Sequence, residues 1–142
     1  MLAPDVNVLV YAHRAELPEH AACRLWLEGL VNADSAFGLA DVVLSGFLRI
    51  VTHPRIFSSP TPLADALAVA SALRGQPNRV SLEPGPRHWG IFERLCRESR
   101  ARGSLVADAY LAALAIESGC EWVTTDRDFT RFSGLKVHNP LG

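Results

Sequence analysis

Lysine is almost missing from this chain: of its 14 basic residues only Lys136 is lysine, and the rest are arginine. Against 15 acidic residues the formal net charge is −1, which excludes a basic polyelectrolyte. Any surface that binds nucleic acid must therefore be local. Arginine suits bidentate phosphate contacts, but its company of abundant Ala, Gly and Pro reads first as genome composition. Cysteine is also sparse. Cys23, Cys96 and Cys120 form no C-x-x-C, and any disulfide scheme leaves one of them over. This argues against a disulfide framework and points to reduced, buried thiols in a cytoplasmic protein. The five histidines are dispersed, without zinc spacing, so packing, capping or surface roles are expected of them. No run approaches the ~20 apolar residues of a membrane span, and the N-terminus lacks a charged region ahead of a hydrophobic one. The expectation is a soluble, cytoplasmic protein with no membrane contact.

What remains is 142 residues with 49% hydrophobic content, enough for one domain over 1–142 with a real core. Residues 5–12 read as a strand, or a strand running into a helix. A helix follows from about Pro18 to Val31, with Ala22, Leu25, Trp26 and Leu30 as its inward stripe. A strand at 35–39 leads to a helix that Asp41 would cap and His53-Pro54 would stop. Further helices are expected at 63–73, 88–100 and 105–117, the last capped by Ser104 and ended by Gly119. Strands are expected at 80–82, 121–125 and 135–138. This alternation predicts an α/β fold, a mainly parallel sheet covered by helices on both faces.

Five carboxylates stand at the ends of apolar segments: Asp5, Asp41, Asp108, Asp126 and Asp128. A lone anion there is poorly solvated, and a divalent metal is the simplest object on which all could converge. Each also has an ordinary explanation. Asp41 reads as an N-cap, Asp108 as a first-turn acid facing the helix dipole, and Asp126 and Asp128 as turn residues. Asp5 is harder to dismiss, because an acid inside an apolar run needs a partner. Arg14, Arg49, Arg55, Arg127 and Arg131 neighbour these blocks and are candidates for holding phosphates, Arg14, Arg49 and Arg127 above all. Arg94, Arg97 and Arg100, beside Glu93 and Glu98, read first as a solvated helix face.

Four blocks in order, Asp5-Val-Asn7-Val-Leu-Val-Tyr-Ala, Phe47-Leu-Arg-Ile-Val-Thr-His-Pro-Arg-Ile-Phe57, Val106-Ala-Asp108-Ala-Tyr-Leu-Ala-Ala-Leu-Ala and Val123-Thr-Thr-Asp126-Arg-Asp128-Phe129, resemble the PIN-domain ribonucleases. More narrowly they resemble the VapC toxins of mycobacterial-type VapBC toxin–antitoxin systems. The resemblance implies a three-layer α/β/α sandwich and an acidic pocket binding Mg²⁺ or Mn²⁺. It also implies endoribonuclease activity, a VapB-type antitoxin partner and a homodimer. It assigns Asp5, Asp108 and Asp126 to the catalytic metal site, with Asp128 as an extra carboxylate and Asn7 and Thr125 in support. The family's second acid, a Glu near Ser45 or Gly46, is missing. Asp41, one turn earlier, is its possible substitute. Three rivals remain at this stage: a degenerate PIN fold that binds RNA or a partner without cutting, a housekeeping RNA-processing nuclease, and a receiver or dehalogenase-like phosphoryl-transfer domain. The last is disfavoured because Asn7 breaks Asp-x-Asp and the only lysine is Lys136.

Overall fold

The computed structural model describes all residues 1–142. In chain order the elements are β1 (Leu2–Pro4), α1 (Val6–His13), α2 (His20–Asn32), β2 (Phe37–Leu39) and α3 (Asp41–Val51). They continue with α4 (Leu63–Arg74), β3 (Arg79–Ser81), α5 (His88–Ser99), α6 (Ser104–Ser118), β4 (Glu121–Val123) and β5 (Val137–His138), with a 3-10 turn at Arg127–Arg131 between the last two. All strand pairs are parallel and the sheet order is β3-β2-β1-β4-β5. From β1 the chain steps outward to β2 and β3, then returns across the sheet to β4 and β5. The order reverses between β1 and β4, and in open parallel sheets the crevice beyond the strand ends at such a point is where ligands bind.

The first strand departs from the sequence expectation. Val6-Asn-Val-Leu-Val is β-branched enough to suggest a strand, yet it is helical, and the strand is the three residues before it. The register explains this. Leu2, Ala3 and Pro4 pair with Glu121, Trp122 and Val123, and the Asp5 amide adds one more rung to the Val123 carbonyl at 2.8 Å. Beyond that rung Asp5 caps a helix, so tertiary pairing overrides local propensity. On α2 the inward residues are Cys23 and Leu30. Leu25, expected inside, is 74% exposed, and Ala22 is exposed too. The α3 helix begins at Asp41 itself, with Ala40 as the cap residue and no side-chain cap bond. Gly103, at φ 60°, takes the cap position before α6, so Ser104 is already helical and Asp108 sits in the second turn rather than the first.

Pleating divides the core. Trp122 joins the larger cluster with Phe37, Phe47 and Phe129, while Val123 points to a smaller one with Val8, Ala12 and Cys23. On α6, Ala109, Ala112, Ala113 and Ala115 are fully buried. Side chains this small let α6 lie close over the sheet, which holds Asp108 near the strand ends. Larger residues there would cost about 1–3 kcal/mol in overpacking. Cys23, Cys96 and Cys120 are all free thiols. No helix is long and apolar enough to cross a membrane.

Candidate metal centre

At the end of β1 the Asp5 carboxylate is nearly buried, 5% exposed, and both of its oxygens are engaged. Oδ1 accepts from the Val6 amide at 2.7 Å, satisfying the first orphan donor of α1. Oδ2 accepts from the Thr124 hydroxyl at 2.7 Å and from Asn7 Nδ2 at 3.3 Å. Burial raises the Asp5 pKa above the carboxylate norm, and the bonds from Thr124 and Val6 partly offset that. The Trp122 indole N–H is buried without a hydrogen bond, although it lies near enough to Asp5 to ease its charge slightly.

Thr124, the residue after β4, ties the two strand ends together. Its hydroxyl donates to Asp5 and accepts from Asn7 Nδ2 at 3.0 Å and the Asp126 amide at 3.1 Å, which uses its whole bonding capacity. Asn7 Oδ1 in turn accepts from the Thr125 amide at 3.2 Å. Thr125 thus contributes backbone, and the side chain in the network is that of Thr124, which the sequence reading passed over. Two adjacent threonines after a strand differ only in the direction the pleat gives them, and composition cannot reveal that.

Asp126 caps the 3-10 turn, its Oδ1 accepting from the Asp128 amide at 2.9 Å. Across the crevice, Asp108 is half-buried and accepts no hydrogen bond from the protein. Burial, followed by the charges of Asp126, Asp5 and Asp128, pushes its pKa up to about 6. Asp108, Asp126 and Asp128 each offer a carboxylate oxygen, all within 4.8 Å of one another. Asp5, Asn7, Asp108 and Asp126 line one side of a cavity of about 440 Å³, whose other wall is largely apolar. Like charges this close raise one another's proton affinity unless a cation joins them. The donors are all hard oxygens, which fits Mg²⁺ or Mn²⁺ and does not fit zinc in a His/Cys shell. The histidines lie elsewhere: His13 meets Thr61, His20 the Tyr11 carbonyl, His53 the Arg55 amide and His88 the Tyr110 carbonyl.

The PIN domain profile matches residues 2–135. The chain belongs to the PIN-domain family. It is 49% identical over 141 residues to ribonuclease VapC43 of Mycobacterium tuberculosis, covering 99% of this chain and 96% of that protein. It is 43% identical over 140 residues to ribonuclease VapC25 of the same organism, covering 99% of each. In three dimensions it is similar to a chain of VapBC2 from Rickettsia felis bound to a DNA fragment from the promoter, with TM-score 0.70 at 17% identity and 97% of both chains covered. This PIN domain has the parallel α/β fold of those structures.

Two departures from the expected PIN site follow from contacts. Asp41 is exposed and turned away from the cavity. Its Oδ1 accepts from Arg74 Nε at 2.9 Å and from Arg79 Nη2 at 3.0 Å, and its Oδ2 from Arg74 Nη2 at 3.2 Å. The Arg74 bond chiefly holds its pKa below the usual range. Gly46, one turn along α3, does line the cavity, but a Cβ there would stand 2.9 Å from Val6 Cγ2. The PIN site therefore carries no acid on α3, and Val6 fills the space near where one would start.

Of the arginines, Arg49 lines the cavity rim. Arg127 is exposed and lines a small polar hollow behind Asp126. Arg14 is committed to the fold. It bonds Glu16, Thr61 and the Ser59 carbonyl, and its guanidinium lies 4.1 Å from the Phe57 ring centroid. Arg131 faces Asp128 at 3.7 Å.

Proposed function

We propose that this PIN domain is a metal-dependent endoribonuclease, the toxin of a VapBC-type pair, acting in the cytoplasm as a homodimer under the control of a VapB-type antitoxin. The observation that carries this reading is Asp108: a half-buried carboxylate with no hydrogen bond, ringed by Asp126, Asp128 and Asp5. A cation among these acids would stabilise that anion. Mg²⁺ or Mn²⁺ held by Asp108, Asp126, Asp128 and Asp5 supplies water activation and neutralises charge on a phosphodiester under attack.

The chain's own residues prepare the rest. Thr124 keeps its proton on the Asp5 side, so the buried acid is held in one rotamer. Asn7 fixes the spacing between the two strand ends. Arg49 at the rim draws a phosphate toward the cavity, and the apolar wall limits the water that reaches it. Beside the cavity, and sharing Asn7 and Ile50 with it, runs an apolar groove of about 330 Å³ lined by Val10, Tyr11, Leu17, Ile56 and Phe57. An antitoxin segment with apolar side chains in this groove and a cationic one over the acids would block RNA and replace the metal.

RNA cleavage measured with Mg²⁺ or Mn²⁺, and with EDTA, tests the activity. Cleavage by wild type and none by Asp108→Asn is the expected result. Co-expression with the product of the neighbouring gene tests the inhibitor: a stable, inactive complex is expected, and a fully active one overturns that part. The missing α3 acid specifically favours a second reading, a PIN fold that binds RNA without cutting it. Binding with no cleavage in either metal would establish that reading.

A further inference from the structure

The α5–α6 hairpin carries features that the metal cavity does not use. From Arg87 to Arg102 there are five arginines against two glutamates, in a chain whose net charge is −1. Arg94 and Arg97 are spoken for by Glu98 and Glu93 at i,i+4. Arg100 and Arg102 are exposed and have no acidic partner. Arg100 also holds a left-handed backbone, φ 52° and ψ 46°, at the end of α5, the only non-glycine residue with positive φ. Glycine takes that conformation without strain and arginine does not, so a cationic side chain is kept there against the backbone preference.

On the other side of Asp108 lies an aromatic series. Tyr110 reaches the wall of the cavity. Its ring is 5.7 Å from Phe92, and Phe92 is 5.1 Å from Trp89. Trp89 is 62% exposed, yet it is held at one edge by Glu93, which accepts its indole N–H at 2.7 Å, and at its back by Phe92. An indole pinned in this way keeps the rest of its surface toward solvent at little further entropic cost, as a stacking platform requires.

The α5–α6 packing places these groups in sequence. Arg100 and Arg102 precede α6, Asp108 is in its second turn, and Tyr110, Phe92 and Trp89 continue toward the start of α5. We propose that this hairpin is a single-stranded RNA track: a nucleobase stacks on Trp89, and backbone phosphates are held by Arg100 and Arg102 on the far side of Asp108. The proposal rests on the nuclease reading for the scissile phosphate at Asp108. Stacking on an exposed aromatic and contacts from unpaired cations are together how unpaired strands are gripped without base-pair readout.

The test is fluorescence anisotropy of a short labelled single-stranded RNA bound to the whole protein in EDTA, over a series of salt concentrations. Trp89→Ala is expected to weaken binding about tenfold, with Trp89→Phe recovering most of it and the salt dependence unchanged. Arg102→Ala and Arg100→Gly, the latter also relieving the backbone, should each lower the slope of log Kd against log salt by about 0.7. Unchanged affinity in all these variants, or no binding of the RNA by wild type, overturns the track. So does a change in sedimentation mass of Trp89→Ala with RNA affinity intact, which would make this face a protein contact. The two readings fail separately. A wild type that binds through Trp89 but never cuts RNA with metal refutes the nuclease alone. One that cuts normally, with KM and Kd untouched by Trp89→Ala, refutes the track alone.

Discussion

The Thr124 hydroxyl stands 2.7 Å from Asp5 Oδ2, joining two residues that lie 119 positions apart in the chain. That bond, with the two it accepts, locks the end of β1 to the end of β4. Thr124→Val removes a donor from a buried acid, takes one of two acceptors from Asn7 Nδ2 and strands the Asp126 amide, costing about 1–3 kcal/mol. Thermal melts should show that loss together with reduced RNA cleavage, and Thr124→Ser should restore both. Thr125→Val leaves its backbone bond to Asn7 in place and should change neither.

Asp108 makes the metal-free protein sensitive to pH. Its folded pKa, about 6, lies above the ordinary aspartate value of 3.8, so the folded state favours the protonated form. The penalty for ionising it is absent below the unfolded value, develops as pH rises between the two, and is complete above about 6. In EDTA at pH 8, Asp108→Asn should therefore melt higher than wild type, by about 2–4 °C for each kcal/mol relieved. At pH 4 the two should nearly coincide. Adding Mg²⁺ should raise the wild-type melting temperature more than the mutant's. A mutant that melts lower than wild type at pH 8 would show that Asp108 holds the fold together.

Asp41→Asn separates a surface ion pair from a metal ligand. The exposed carboxylate pairs with Arg74 in solvent, where such a pair contributes at most about 1 kcal/mol, and with a largely buried Arg79 that the Leu39 carbonyl also holds. A small loss of stability, with metal dependence of cleavage unchanged, is the expected outcome. A weakened apparent affinity for Mg²⁺ would return Asp41 to the site.

Arg14 and Arg49 should part company on substitution. Arg14→Ala loses the stack on Phe57 and three polar contacts, about 2–3 kcal/mol of stability, while the salt dependence of RNA binding stays as it was. Arg49→Ala should do the opposite, sparing the melting temperature and weakening RNA binding.

The acids were legible in the sequence because anions beside apolar segments are costly unless something collects them. Asp5, Asp108 and Asp126 do line one cavity. Asp41 misled because the arginines that claim it come from α4 and β3, 33 and 38 residues later, and no local pattern announces such a pairing. The brief first strand was illegible for a related reason. Three residues ending in proline carry little periodicity, and only their rungs to β4 make them a strand. Leu25 looked buried on the helical wheel, but the helix turns Cys23 inward beside the expected Leu30 and Trp26. Gly46 gave no sign that Val6 stands over it, since that contact crosses from α1 to α3.

The reversal of strand order between β1 and β4 has a consequence for when the acidic cavity can first assemble. Residues 5–7 are synthesised long before their partners at 124–128, and no earlier strand offers the same pairing. Contacts this distant in sequence form late. A nascent or prematurely terminated chain carries Asp5 and even Asp108 without Thr124 or Asp126, so its acids have nothing to hold them together. Synthesis itself thus delays assembly of the acidic cavity until β4 and the turn after it have been made.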